Sequence, residues 1–393
     1  MENYTNQSLD ELRVWNSALA TILIPNNVIL SLYMIAGFLG NSTVIFIYGL
    51  KIKGNKEERY FIPFLATADL CASLVCASFG IAQNMMQATF DNEPLCKTWW
   101  FFAGSTTLIS VFLLIIIAVH RYLKVCKPLG KQMTLKWKRL ALVLCLAVAF
   151  PLAGPMTYFY GSESFVKDDE MRIYGRRCGR LSTTNKTGSL LYGGVLVLTA
   201  ITIIVVLTCL YSKIGFTIVK RFKYKKAVGN NSTTEQPRSR FSSGDAIAES
   251  EQDIHSVETD STVLSSSHLP QASIPTKGKV IPTNTNQRLK HLPLSSSTKR
   301  RRNRRTVHRF TLMFMLITVI FLICYIPKVI IMLLEANNTK FWEGFSEAGR
   351  SAVSFVYRIY ILNNVTNPFI YAFLDKKFSE QIKKLFKLRK SPP

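Results

Sequence analysis

Long apolar segments, basic charge confined to alternate links and a low share of charged residues predict an all-α membrane protein. The expected architecture is a seven-transmembrane helix bundle with a short amphipathic helix after the last span. Of 393 residues, 48% are hydrophobic and 19% charged, below the roughly 25% usual in soluble domains. A formal charge of +25 would suit a nucleic-acid binder if it were spread over one surface, but Lys and Arg crowd particular connecting segments instead. The eight Cys are scattered without metal-type spacing, and Cys71, Cys76, Cys145, Cys209 and Cys324 lie within apolar stretches, as small buried hydrophobes do.

A helix needs about 20 mainly apolar residues to cross the hydrocarbon core. Segments that meet this run over residues 18–50, 60–86, 97–123, 140–159, 190–211, 310–334 and 352–373, the last being the most polar. Residues 1–17 are polar and lack the basic start and short apolar core of a signal peptide, so the first span is expected to act as its own insertion signal. The chain therefore divides into an outer tail (1–17), spans one to five (18–214), a long inner loop (215–307), spans six and seven (308–373) and an amphipathic inner end (374–393).

Orientation follows from the Lys and Arg content of the links. The first carries Lys51, Lys53, Lys56 and Arg59. The third carries Lys124, Lys127, Lys131, Lys136, Lys138 and Arg139, and the fifth ends in KRRRNRR over residues 299–305. The second link is mildly acidic and the sixth near neutral. These counts place the odd links and the C-terminus in the cytoplasm and the N-terminus outside. Glu57 and Glu58, beside the basic residues of the first link, are set aside because acids weigh little in this rule. The fourth link runs against the rule, since Arg172, Arg176, Arg177 and Arg180 fall outside; three basic links outvote it. Sequons at Asn3, Asn6, Asn185 and Asn337 lie on the predicted outer side and are candidate glycosylation sites.

The middle of the fifth link, rich in Ser, Thr, Pro and Gln, holds no run able to bury a core and is expected to be disordered. Its flanks, residues 213–226 and 299–314, can extend spans five and six as basic helices. Two roles for them stay open: anchors to anionic lipid, or part of a protein-docking surface. Ser239, Ser242, Ser243 and Thr306 follow basic residues and are kinase-site candidates.

Polar and Pro residues punctuate the spans in a set order. Span one has Gly40-Asn41, span two LATADL with Asp69, and span three begins at Cys96 and ends in His120-Arg121-Tyr122. Span six has FLICYIP with Phe321 and Pro327, and span seven NNVTNPFIY with Asn367, Pro368 and Tyr371, followed by FLDKKF. This series resembles the rhodopsin-like G-protein-coupled receptors, over the whole membrane portion from about residue 18 to residue 387. The resemblance implies a multi-pass plasma-membrane receptor that is not an enzyme and needs no cofactor. Its implied partners are an extracellular ligand, a heterotrimeric G protein, arrestin, receptor kinases and membrane lipids, with no nucleic acid.

The resemblance also implies roles. Asp69 is a carboxylate at mid-membrane, costly unless paired or hydrated; with Ser110, Asn41, Asn363 and Asn367 it matches the family's sodium-binding cluster, an allosteric site. A purely structural polar knot is the other reading. Cys96 and Cys178 match the pair that ties span three to the second outer loop. Arg121 matches the family's activation hinge, which meets the G protein once span six swings out. Tyr211, Phe321, Pro327 and Tyr371 match the movable core, with Pro327 kinking span six. The sequence departs from the pattern at His120, where an acid is usual, and no acid lies near the start of span six. The restraints on Arg121 are therefore expected to be thin, with raised basal activity or pH sensitivity through His120.

Ligands of the family enter between spans three, five, six and seven, here near Ala103, Thr107, Tyr325 and Tyr357. Where amine receptors carry an Asp this chain has Ala103, which disfavours an amine. Lys328 lies three residues past Tyr325, on the same helix face, and Arg358 adds a second intramembrane cation. Together with the Arg-rich second outer loop they invite an acidic ligand, such as an acidic or amidated neuropeptide. The plainer alternatives are that Lys328 has an internal partner and Arg358 faces lipid headgroups. A receptor-like protein for a small anionic or lipid ligand, or a non-signalling scaffold, are the other functional readings.

Overall fold

A computed structural model describes residues 2–52, 57–168, 173–231, 296–337 and 341–388. The chain divides into two units, Met1–Lys223 with Arg300–Pro393, and Tyr224–Lys299; the first holds the helical bundle. Residues 232–295, with Ser239, Ser242, Ser243 and most of the stretch expected to be disordered (about 230–297), lie outside the described residues, while its ends at 230–231 and 296–297 are helical.

The chain opens with α1 (Glu2–Ile22), which includes most of the expected outer tail. After a break at Leu23, α2 (Ile24–Phe46) starts with Pro25 in its first turn and closes in a π-helical turn, Ile47–Lys51. Proline suits that first turn because its missing N–H has no intrahelical partner there anyway. The same device opens α3 (Ile62–Met85) and α4 (Glu93–Cys126), and Asn92 caps α4 by accepting from Leu95 N at 2.9 Å. Then follow α5 (Leu135–Ala153), the short α6 (Met156–Phe159) and the strands β1 (Tyr160–Asp168) and β2 (Ile173–Arg180). The rest is helical: α7 (Lys186–Asn231), α8 (Ser296–Asn337), α9 (Glu347–Arg358), α10 (Leu362–Leu374) and α11 (Lys376–Leu388).

Among the described residues six helices are long and apolar enough to cross a membrane. The seventh expected span is helical but broken: a 3₁₀ turn at Ile359–Ile361 separates α9 from α10. Polar Ser351, Ser354 and Arg358 recur along α9, so that no long apolar run forms there. The bundle is inside-out by the standard of a soluble protein. Asn41, Asp69, Ser73, Ser110 and Asn367 are buried, while Leu32, Val143, Leu144, Val148, Leu198 and Ile323 are more than half exposed. An apolar surface of that extent needs lipid around it.

The second outer loop, expected as a polar loop, is an antiparallel β1–β2 hairpin. Its edge is pinned to the α3–α4 link by Phe90 N to Arg176 O at 2.9 Å and Arg176 N to Ala88 O at 2.7 Å. Glycine lets α2 approach its neighbours: a Cβ on Gly37 would stand 2.5 Å from Ser73 Oγ, and one on Gly40 2.9 Å from Pro368.

Candidate functional site

Three polar clusters run down the bundle. The middle one centres on Asp69, wholly buried on α3. Ser110 Oγ donates to Asp69 Oδ1 and Asn367 Nδ2 to Asp69 Oδ2, both at 2.6 Å, so α3, α4 and α10 meet there. Asn41 belongs to the next layer, its Nδ2 donating to the backbone oxygens of Gly37 (3.0 Å) and Asn364 (2.9 Å). Among the described residues Asp69 forms no ion pair with a basic side chain. The buried Oδ1 atoms of Asn41, Asn363 and Asn367 accept no hydrogen bond among the described residues. A carboxylate with acceptor oxygens left over is a donor set suited to a hard cation such as sodium.

At the outer end Cys96 and Cys178 are joined, their Cα atoms 5.6 Å apart, tying α4 to β2. The arginines of the hairpin are largely used inside the protein. Arg176 pairs with Asp91, Arg177 lies 4.9 Å over the Phe165 ring, and Arg180 Nε donates to Ser189 Oγ at 2.7 Å. Deeper in, Lys328 Nζ stands 3.3 Å from the Tyr360 ring centroid and 5.7 Å from that of Tyr357. Arg358 turns to α3 rather than to lipid headgroups, donating from Nη1 to Asn84 Oδ1 at 2.5 Å. Neither cation forms an ion pair among the described residues. Tyr325 packs on Phe321 at 4.4 Å and on Tyr360 at 5.6 Å. Cys76 Sγ lies 3.7 Å from Thr107 Oγ1 and 3.9 Å from the carbonyl oxygen of Ala103. One residue missed in the sequence is Glu335, which accepts from Trp342 Nε1 at 3.1 Å.

The inner cluster corrects an expectation. Arg121 is not thinly held: its guanidinium pairs with the Glu58 carboxylate and donates to the Glu58 backbone oxygen, and both side chains are buried. The acid comes from the first cytoplasmic link and not from span three or span six. Lys124 Nζ lies 2.9 Å from Glu57 and 3.7 Å from Glu58, and it holds the Glu57 carboxyl below the usual carboxylate range. Next in sequence, Arg59 binds Asp375 two-pronged at 3.0 and 3.2 Å, and Tyr48 donates to the same carboxylate at 2.9 Å. The Phe310 ring of α8 lies 4.7 Å from the Arg59 guanidinium and 5.7 Å from that of Arg121, and Phe314 lies 5.0 Å from the latter.

His120, read as a pH switch, is fully buried against Phe61, and among the described residues neither ring nitrogen has a hydrogen-bond partner, so no acceptor there stands ready for a second proton. Tyr122 packs at the edge of the inner core, and Tyr211, Phe321 and Tyr371 are buried within it. Tyr371 meets Tyr48 and Phe378 edge-on, its hydroxyl without a hydrogen-bond partner among the described residues. Pro327 lies inside α8 and Pro368 inside α10. Of the sequons, Asn3 and Asn6 lie in α1 and Asn337 ends α8. Asn185 is exposed, its Oδ1 accepting from the backbone of Thr187 and Gly188.

Comparison with known proteins gives a consistent picture. The family model described as 7 transmembrane receptor (rhodopsin family) matches residues 40–371. Cholecystokinin receptor type A of Cavia porcellus is 24% identical over 390 residues, covering 96% of this chain and 83% of that protein. Its Homo sapiens counterpart is 23% identical over 391 residues, with the same coverage. The trissin receptor of Drosophila melanogaster is 27% identical over 107 residues, 27% of this chain and 16% of that protein. In fold, the crystal structure of squid rhodopsin matches with a TM-score of 0.62 at 14% identity, over 95% of this chain and 86% of that one.

Proposed function

This chain belongs to the rhodopsin family of seven-transmembrane receptors, and from that premise we propose that it answers an extracellular peptide bearing an acidic group. The protein is a multi-pass receptor of the plasma membrane and not an enzyme. In this reading α9 and α10 together make the seventh crossing, with α11 lying along the inner membrane surface.

The observation that carries the ligand class is the state of Lys328. An ammonium buried in the bundle with aromatic faces as its partners gains about 0.5–2 kcal/mol from them. A carboxylate or sulfate entering from outside offers it a charge-assisted contact worth about 1.5–3 kcal/mol. Relatives named as receptors for cholecystokinin and trissin favour a peptide as the carrier of that group. Inside, the partners are a heterotrimeric G protein, arrestin and receptor kinases. The residues around Asp69 fit sodium, which when bound supplies the positive charge that this carboxylate lacks. In that reading Asp69, Ser110 and Asn367 tie the position of α10 to that of α3 and α4, and the buried Asn41 and Asn363 are proposed members of the same site.

Lys328→Met tests the ligand class in cells against a library of acidic and neutral peptides. The variant is expected to reach the surface like the parent and to lose potency for an acidic agonist by about 100-fold, as truncating one partner of a buried charge pair does. Unchanged potency would reject the role of Lys328.

A further inference from the structure

We infer that the dipeptide Glu58-Arg59 of the first cytoplasmic link is the latch that holds this receptor at rest, with Glu58 as the positioning residue for Arg121. The inference rests on the receptor reading above and adds which residues set its baseline. His120 occupies the place of the acid that usually neighbours the hinge arginine, and the start of α8 carries Arg304, Arg305 and His308 instead of an acid. A buried guanidinium without a counter-charge is costly, so an anion has to come from elsewhere. It comes from Glu58, whose carboxylate and backbone oxygen both engage Arg121.

The swap is matched at the neighbouring position. Arg59 turns the other way and closes on Asp375, the residue between α10 and α11, where Tyr48 adds a hydroxyl. One short link thus grips α4 through Glu58 and the junction of α10 and α11 through Arg59. The two guanidiniums lie near the same aromatic ring, Phe310 of α8. Outward movement of the inner end of α8 must therefore part Phe310 from two cations at once. An outward swing of α8 would change the contacts made by Arg121, and a residue whose contacts differ between states is what shifts their populations.

The test compares Glu58→Gln, Glu58→Asp and Glu57→Gln with the parent, using the full chain in lipid nanodiscs without ligand. Hydrogen exchange of the backbone amides over residues 307–314 reports the inner end of α8 directly, and nucleotide exchange on a panel of heterotrimeric G proteins reports coupling. Glu58→Gln is expected to speed amide exchange in that segment and to raise ligand-free nucleotide exchange about tenfold, the shift made by about 1.4 kcal/mol of lost restraint. Glu58→Asp keeps the charge and should stay near the parent, as should Glu57→Gln, which loses an exposed contact next door. Adding His120→Asp to Glu58→Gln returns an acid beside Arg121 and should lower the baseline again, which a merely structural role for Glu58 does not predict. If Glu58→Gln fails to accumulate, Asp375→Asn opens the latch from its other end and is read by the same amides. Amide exchange over 307–314 that matches the parent in whichever of these two variants accumulates overturns the inference. Faster amide exchange with no G protein turned over by parent or variant keeps the latch and refutes the coupling reading instead.

Discussion

The inner and outer ends of the bundle hold their buried cations in opposite ways. At the inner end Arg121 and Arg59 each lie against a buried carboxylate, Glu58 and Asp375. At the outer end Lys328 and Arg358 lie against tyrosine faces and an amide oxygen. The inner cations each have a carboxylate partner within the chain, and in the proposed latch that end opens only when those pairs part. The outer cations form no ion pair among the described residues, which is why an anion from outside is proposed as their partner. In the proposed reading, ligand recognition and restraint are separated by where the counter-charge comes from.

The sharpest way to break this contrast is to compare stabilities. Asp375→Asn leaves the Arg59 guanidinium buried without its counter-charge and is expected to cost about 3–5 kcal/mol, seen as a clear drop in Tm in detergent. Lys328→Met removes a buried charge held by π faces and should stay within about 1 kcal/mol of the parent. Equal losses would mean that the outer cation is as structural as the inner ones.

The middle of the bundle gives a smaller effect. If Asp69 takes a sodium ion, sodium chloride should raise the Tm of the parent over choline chloride by the equivalent of about 1–3 kcal/mol, as a ligand present well above its Kd does. Asp69→Asn should abolish that difference. A sodium effect that survives the substitution places the ion elsewhere.

The smallest effect is at the rim. Lys124 holds the Glu57 carboxyl below its usual range, so this contact contributes above the ordinary carboxylate pKa and is lost as pH falls through the lowered value. With the Glu57 side chain 66% exposed, solvent screening limits it to under about 1 kcal/mol. Glu57→Gln should therefore shift Tm slightly at pH 7 and progressively less as pH falls below the ordinary carboxylate range. A large shift at neutral pH would show that the inner charges act as one network.

Much of the site was legible in the linear pattern. Asp69, Ser110 and Asn367 meet where the motifs imply, and Cys96 and Cys178 are joined. Asn41, expected in the same cluster, bonds to backbone oxygens one layer away. The inner restraint was not legible. Glu58 sits in a link full of Lys and Arg, where an acid looks like solvated surface, and Asp375 looks like one more charge in FLDKKF. The one available hint was negative: with His120 beside it, Arg121 needed an acid from somewhere.

What the sequence determined by itself is what depends on short stretches of chain. Apolar length sets which segments enter the bilayer, and the Lys and Arg balance of the links sets which way they face, because both are properties of local transfer between water and lipid. Only the tertiary structure decided which charge meets which. Arg121 and Glu58 stand 63 positions apart, and Arg59 and Asp375 stand 316 apart. Such pairs exist only after helix packing has brought their atoms within a few ångströms and excluded the water that would otherwise have screened them.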